Sequence, residues 1–141
     1  MNFQPKHKNF KAPTKGTSGA GAYDLYMPED GYIEDFAGPK VVKLGFAAEV
    51  PKGYVALLLP RSSTGFKFGV ELNNTCGVID SDFRGEWLAS INTKSGEQFS
   101  WTAGARVLQM LIVPVAEVEI NVVDNLDETE RGEGGIGSTG E

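Results

Sequence analysis

The chain has 141 residues, of which 40% are hydrophobic and 23% charged, a length and composition that suit one domain with a buried core. The formal net charge of −6 and a pI of about 4.8 disfavour binding to polymeric nucleic acid, whose phosphates require a basic surface. No apolar run approaches the roughly twenty residues of a membrane helix, and the polar N-terminus lacks the apolar stretch of a secretory signal, so we expect a cytoplasmic protein without a membrane partner.

Alternation of apolar with polar residues dominates the chain and predicts β-strands. The longest alternating stretch places a set of apolar residues on one face: Val42, Leu44, Phe46, Ala48 and Val50. Residues 54–59 and 107–113 are apolar on both faces, which is typical of strands that are covered on both sides. Shorter stretches at 87–91 and 118–122 alternate in the same way and predict further strands.

Turn signals that contain glycine, proline or aspartate recur between these stretches, and the chain has 18 glycines. No stretch longer than about ten residues has convincing helical periodicity. We expect at most a short helix after Ser62 and Ser63, with its first amides directed at an anion. Many short strands with frequent turns predict an all-β, single-domain sandwich or barrel.

The chain changes character after Asn121, where an acidic stretch precedes five glycines between Arg131 and Gly140. Such a segment has too few apolar residues to order itself by burial, so it could be a disordered tail without a role. Consecutive amides in conformations that glycine permits also bind anions, which gives the segment a reason to close over a ligand. We therefore predict a β domain over residues 1–125 and a flexible Gly-rich arm over residues 126–141.

The single cysteine, Cys76, excludes an internal disulfide and fits a reducing compartment. A nucleophilic cysteine needs a basic partner, and the one histidine, His7, lies far away in the polar N-terminal stretch. We therefore expect Cys76 to be a small buried residue.

Five segments carry most of the polar groups suited to chemistry: GAYDLY (21–26), PRSS (60–63), GVIDSDFRGE (77–86), ARVLQMLI (105–112) and RGEGGIGSTG (131–140). In order and spacing they resemble motifs I to V of the trimeric dUTP pyrophosphatases (dUTPases). Short glycine- and serine-containing strings recur by chance, but five in order within one short chain are specific. The four arginines of the chain all lie in the segments that resemble motifs II to V: Arg61, Arg84, Arg106 and Arg131.

The resemblance implies a β-sandwich of the jelly-roll type that forms a homotrimer with active sites shared between subunits. It also implies hydrolysis of dUTP to dUMP and pyrophosphate with Mg²⁺, which limits uracil in DNA and supplies dUMP for thymidylate synthesis. In the family, the aspartate that matches Asp80 activates the water that attacks the α-phosphorus. Asp80 could instead only fix its own turn. Phe83 stands where the family usually has tyrosine, whose ring packs beneath the deoxyribose and excludes a 2′-hydroxyl; core packing is the alternative.

The resemblance also assigns the remaining substrate contacts, although a turn cap or a self-satisfied core amide would explain some of these residues equally. The uracil would be read by the Asn74 side chain and by the backbone of Gly77, Val78 and Ile79. The phosphates would contact Arg61, Ser62, Ser63 and Gln109. The arm would add Arg131, Ile136, Gly137, Ser138 and Thr139. Ile136 departs from the phenylalanine that stacks on the base in the family.

Asp24 corresponds to the motif I aspartate, which lies close to the water shell of the magnesium ion in the family. Magnesium keeps several waters and bridges phosphates, so one outer-shell carboxylate suffices. A purely structural aspartate is the alternative. Ala22, Ser63 and Ala105 are mild departures from the family pattern.

Two other functions fit the same segments. Related dCTP deaminases share the expected fold, although DFRGEW (82–87) departs from their pattern. A regulatory protein that binds nucleotide and signals by closing its tail is the second alternative.

Overall fold

A computed structural model describes residues 1–34, 38–94 and 98–136. Three of the predicted arm ligands, Gly137, Ser138 and Thr139, lie outside the described residues, and their contacts stay predictions. In the described part of the chain, no helix has the length and apolar character needed to cross a membrane.

The described residues form ten strands and one short helix. In chain order these are β1 Asn2–Pro5, β2 Tyr23–Tyr26, β3 Gly31–Ile33, β4 Lys40–Glu49, β5 Tyr54–Pro60, α1 Ser62–Phe68, β6 Val70–Leu72, β7 Gly77–Ile79, β8 Glu86–Thr93, β9 Phe99–Trp101 and β10 Arg106–Pro114.

Two four-stranded antiparallel sheets face one another. One sheet has the strand order β1-β4-β8-β6 and the other has the order β2-β10-β5-β7, while β3 and β9 form a separate two-stranded ribbon. Phe46 and Trp87 of the first sheet, with ring centroids 5.1 Å apart, share one core with Leu58 and Leu108 of the second. The predicted all-β sandwich is therefore confirmed.

The strands predicted from the longest alternating stretch and from the two apolar runs are confirmed. All five apolar residues of the longest alternating stretch are buried, four of them in β4 and Val50 directly after it. The two stretches that are apolar on both faces became β5 and β10, the central strands of their sheet. The pairing of β4 with β8 shifts between Lys43 and Ala47, where Gly45 has a φ of 75° and its carbonyl accepts bonds from the amides of Lys6 and His7. Glycine suits this bulge because its φ is one that other residues rarely adopt.

The short helix after β5 is also confirmed. α1 ends at Gly69, which has a φ of 60° and donates its N–H to the carbonyl of Gly65. The helix carries the chain from β5 in one sheet to β6 in the other.

The strand predicted over residues 118–122 was wrong for the single chain. The last hydrogen bond to the sandwich runs from the Val115 N–H to the Gly53 carbonyl, 2.9 Å apart, and no strand follows it in the described residues. Val118, Ile120 and Val122 are 76%, 87% and 98% exposed. Alternation alone cannot form a strand, because a strand also needs a neighbouring strand to accept and donate its backbone hydrogen bonds.

Candidate active site

The segment between β7 and β8 turns sharply at Asp80. The Phe83 N–H donates to the Asp80 carbonyl at 3.2 Å, which closes a four-residue turn, and the Asp80 and Asp82 side chains are exposed. Strand β7, which leads into the turn, is an edge strand and pairs only with β5 in its sheet. Val78 is exposed, while Gly77 is buried against Leu58, whose Cβ lies 2.9 Å from the position of a glycine Cβ. An exposed carboxylate thus stands at the end of an open strand edge.

The Phe83 ring lies on the backbone of Gly85. A Cβ at Gly85 would stand 2.5 Å from Cζ of the ring, so a side chain there would have to displace the ring from this position. The ring is 43% exposed, so the core-packing alternative does not describe it. It presents a flat apolar surface beside Asp80.

Arg84 stabilises the same turn through two hydrogen bonds and an ion pair. Its Nη1 donates to the carbonyls of Ser81 at 2.7 Å and Phe83 at 3.1 Å, and its Nη2 lies 3.2 Å from Oε1 of Glu49 in β4. From the sequence, Arg84 had no assigned role beyond its place in the segment that resembles motif III. Sequence reasoning missed Glu49 altogether, because the two partners are 35 positions apart and neither shows a local signal.

The loop before β7 presents Asn74 to solvent. The Cys76 N–H donates to the Asn74 carbonyl at 2.6 Å, and Thr75 between them has a φ of 64°. Such a φ is rare for a β-branched residue and resembles the strained three-residue γ-turn. Cys76 is unpaired and half-buried, so the expected full burial was only partly met.

At the other edge of the same sheet, Asp24 of β2 holds two arginines. Its Oδ1 lies 2.7 Å from Nε of Arg61, and its Oδ2 lies 3.0 Å from Nη1 of Arg106. The Asp24 side chain is only 10% exposed, whereas the side chains of Arg61 and Arg106 are 27% and 45% exposed. The carboxylate therefore orients two cations that still reach the surface.

Three other predicted phosphate ligands lie near this cluster. Gln109 pairs with Asp24 in the register of β10 and β2, and its Nε2 donates to the Pro60 carbonyl at 2.9 Å. One of the two amide protons is thus used within the protein, and the other can serve a ligand. Ser62 and Ser63 are exposed in the first turn of α1, directly after Arg61.

Tyr26, which pairs with Arg106 in the register, adds a polar group beside the cluster. Its hydroxyl shares a 2.6 Å hydrogen bond with the Thr14 hydroxyl, and the Lys11 ammonium lies 4.0 Å from the centre of its ring. The hydrogen bond to Thr14 is the main reason why the pKa of Tyr26 is lowered, and the charges of Lys11 and Arg106 add to it. The sequence offered no motif for this contact.

The two groups of residues lie at opposite corners of one sheet. Ile79, just before Asp80, pairs with Ala56 near the start of β5, whereas Arg61 follows the end of β5. The five residues from Ala56 to Arg61 extend roughly 17 Å along the strand. The partner of the Arg61 guanidinium, Asp24, lies three strands away from β7, about 14 Å across the sheet. One chain therefore does not bring Asp80 and Arg61 to the same triphosphate.

The described part of the arm is held by local hydrogen bonds. Arg131 donates from Nε to the Gly134 carbonyl at 2.9 Å, and Gly132 with a φ of 52° completes the local turn. The Ile136 side chain is fully exposed. Among the described residues, neither Arg131 nor Ile136 forms a hydrogen bond with Asp80 or Arg61.

The side chains available as metal ligands determine whether the site could hold a magnesium ion. Among the described residues, no group of three or more histidine, cysteine, aspartate or glutamate side chains could hold a metal ion directly. Both oxygens of Asp24 already face a guanidinium, yet a carboxylate oxygen accepts more than one hydrogen bond. The described residues therefore offer no direct metal site, but Asp24 could still accept a hydrogen bond from a water bound to a magnesium ion.

Comparison with known proteins identifies the family. The family described as dUTPase matches residues 8–140 of the chain. The chain is 40% identical over 135 residues to the deoxyuridine 5′-triphosphate nucleotidohydrolase of Salmonella arizonae, an alignment that covers 94% of this chain and 89% of that protein. It is 38% identical over 135 residues to the enzyme of the same name from Escherichia coli O9:H4, with the same coverage of 94% and 89%.

Solved structures show the same fold. The dUTPase of Staphylococcus bacteriophage 80alpha, solved with dUPNHPP, has a TM-score of 0.88 at 24% identity and covers 99% of this chain and 98% of that chain. A mutant dUTPase from phage phi11 of S. aureus, whose structure revealed the coordination of a structural Mg(II) ion, has a TM-score of 0.78 at 21% identity, with 88% and 96% covered. With a family match over almost the whole chain and a relative at 40% identity, the chain belongs to the dUTPase family.

Proposed function

We propose that this member of the dUTPase family hydrolyses dUTP to dUMP and pyrophosphate, with Asp80 as the general base. The observation that carries the assignment is the turn between β7 and β8, where an exposed carboxylate and the exposed Phe83 ring share four residues. A carboxylate that is open to solvent can take a proton from an attacking water. The reaction would limit uracil in DNA and supply dUMP.

The nucleoside half of the substrate would lie along β7. The open edge of this strand offers backbone groups of Gly77, Val78 and Ile79, and the exposed Asn74 amide supplies both a donor and an acceptor to uracil. The Phe83 ring would pack beneath the deoxyribose and leave no room for a 2′-hydroxyl. This exclusion depends on the bulk of the ring, so the missing phenolic oxygen of tyrosine is tolerated.

The triphosphate half would bind at the Asp24 cluster. The side chains of Arg61 and Arg106 are partly exposed to solvent, and Gln109, Ser62 and Ser63 add neutral donors. Magnesium bound to the triphosphate would neutralise charge on its oxygens, with Asp24 in the outer shell. The arm would then contribute Arg131 and, beyond the described residues, Gly137, Ser138 and Thr139, while Ile136 covers the base.

The separation of Asp80 from Arg61 supports a homotrimer with shared sites. A triphosphate is much shorter than the distance across the sheet, so the nucleoside half from one chain must meet the phosphate half from another. The exposed apolar side chains of Val118, Ile120 and Val122, together with the 94% exposed Phe66 of α1, support burial against further chains. In such a trimer a neighbouring arm would close each site. We also place the enzyme in the cytoplasm, in keeping with its unpaired Cys76.

One assay tests the function. The chain is incubated with dUTP, UTP, dTTP and dCTP, and pyrophosphate and ammonia are measured separately. We expect pyrophosphate from dUTP alone; ammonia from dCTP would instead indicate a deaminase. Asp80→Asn should lower kcat by about 10²–10⁴-fold while dUTP affinity and the oligomeric state persist, because asparagine keeps the shape but cannot accept the proton.

Asp82→Asn is the matched control, since Asp82 is an exposed carboxylate of the same turn. Its kcat should stay close to that of the wild type. If Asp80→Asn retained turnover within twofold of the wild type, Asp80 would not be the base.

A further inference from the structure

The Arg84 side chain makes its hydrogen bonds away from the predicted phosphate ligands. Its Nη1 bonds the carbonyls of Ser81 and Phe83, and its Nη2 pairs with Oε1 of Glu49. The second oxygen of Glu49 accepts a 2.8 Å bond from Nδ2 of Asn2 in β1. We call this set of contacts the Glu49–Arg84 clamp.

The clamp lies where the chain crosses between the two sheets. β7 belongs to one sheet, while β8 and the β4 strand that carries Glu49 belong to the other. The clamp therefore anchors the crossover turn to the second sheet. The turn has only one internal backbone bond, from the Phe83 N–H to the Asp80 carbonyl, so the orientation of its peptide groups depends on Arg84.

The two carbonyls that Arg84 binds belong to the residue directly after Asp80 and to Phe83 itself. The Ser81 carbonyl follows Asp80 by one residue, and the Phe83 carbonyl belongs to the residue whose ring lies on Gly85. A rotation of these peptide groups would turn the Asp80 carboxylate and lift the ring off the Gly85 backbone together. A displacement of about 1 Å at a reacting group can lower a rate 10²-fold.

We propose that Arg84, held by Glu49, is a positioning residue that sets the Asp80 carboxylate and the Phe83 ring and does not bind phosphate. The proposal rests on the proposed function of these two residues. Both ends of the ion pair are about half exposed, 55% and 49%, and exposed pairs contribute little to stability. The clamp therefore acts on catalysis and on sugar selection much more than on folding.

The test compares Arg84→Ala, Arg84→Lys and Glu49→Gln with the wild type. We expect Arg84→Ala to lower kcat for dUTP at least about tenfold and to reduce the preference for dUTP over UTP, because both groups move. Glu49→Gln should shift both quantities in the same direction by a smaller factor. The melting temperature should change little in each case.

Arg84→Lys separates positioning from phosphate binding. A lysine keeps the charge, so a phosphate ligand would be largely replaced and KM would stay near its wild-type value with a normal kcat. A lysine cannot bond two carbonyls and Glu49 at once, so the clamp predicts that Arg84→Lys resembles Arg84→Ala in kcat and in sugar preference.

Lys43→Ala is the matched control. It removes the 3.8 Å surface pair between Lys43 and Glu86 on the same pair of strands, β4 and β8, without touching the turn. Its kinetics should not change. If Arg84→Ala fails to fold, the kcat and the sugar preference of Arg84→Lys and Glu49→Gln test the proposal.

Unchanged kcat and unchanged dUTP preference in the folded variants would overturn the proposal, even with Asp80→Asn inactive. Absence of dUTP hydrolysis by the wild type would instead refute the proposed function, so the two failures are distinguishable.

Discussion

Asp24 lies between two guanidinium groups, and its closest partner is Arg61, with 2.7 Å between Oδ1 and Nε. Its second oxygen lies 3.0 Å from Nη1 of Arg106. The carboxylate is nearly buried while both cations reach solvent, so Asp24 works first as the residue that aligns them. Any contact with metal-bound water would come in addition to this role.

Replacement of Asp24 by asparagine should weaken both the fold and phosphate binding. A neutral amide leaves two close guanidinium groups without their counter-charge, and we expect a loss of about 1–3 kcal/mol in the free energy of unfolding, reduced from the fully buried case because the arginines are partly exposed. Urea denaturation at fixed protein concentration and KM for dUTP measure the two effects. The control is Glu71→Gln, which changes an exposed carboxylate whose Oε1 accepts a 3.2 Å hydrogen bond from Nδ2 of Asn92. Unchanged stability together with unchanged KM would contradict the alignment role.

Shared sites predict complementation between two inactive variants. Asp80→Asn and Arg61→Ala lie at opposite corners of one sheet, so each should inactivate a different half of the site. When the two proteins are unfolded together and refolded at equal amounts, about a quarter of the sites should combine an intact Asp80 with an intact Arg61. Recovery of dUTP hydrolysis after mixing measures this. If sites were formed within one chain, the mixture would stay as inactive as its parts.

Truncation after Glu130 should leave the sandwich intact and remove most of the activity. The described residues from 131 to 136 make only local hydrogen bonds, and Ile136 is fully exposed, so the melting temperature should stay close to that of the full chain. Differential scanning calorimetry and the dUTP assay measure the two expectations. Full-length Arg131→Ala tests whether that side chain accounts for part of the loss. Hydrolysis at a near wild-type rate without the arm would mean that it has no role in the reaction.

Ile136→Phe should tighten the binding of a non-hydrolysable dUTP analogue by about 1 kcal/mol. Stacking of a base on an aromatic ring is worth about 1–3 kcal/mol relative to alanine, and an isoleucine recovers part of it through apolar area. The gain should appear as slower dissociation, because only the closed arm is stabilised. Isothermal titration calorimetry on the wild type, Ile136→Phe and Ile136→Gly checks this. Equal affinity in all three would mean that the side chain never meets the uracil.

The sequence by itself determined the long strands β4, β5, β8 and β10 and the order of the functional segments. A period of two in β4 and apolar runs in β5 and β10 are local patterns, and each is decided by which faces of a strand are covered. The polar residues of the five segments could be found for the same reason, since each segment is continuous in the chain. Asp80 and Phe83 were thus recognisable as neighbours without a structure.

Only the tertiary structure decided which distant groups meet. Asp24 and Arg106 are 82 positions apart, and Glu49 and Arg84 are 35 apart, so no window along the sequence contains either pair. The register of β5 and β7 decided that Asp80 and Arg61 lie at different corners of the sheet. The stretch at 118–122 alternates like a strand, yet it has no neighbouring strand among the residues that the structure describes. Which distant side chains meet depends on the order of the strands in the sheets. The alternation of apolar residues along a strand does not specify that order.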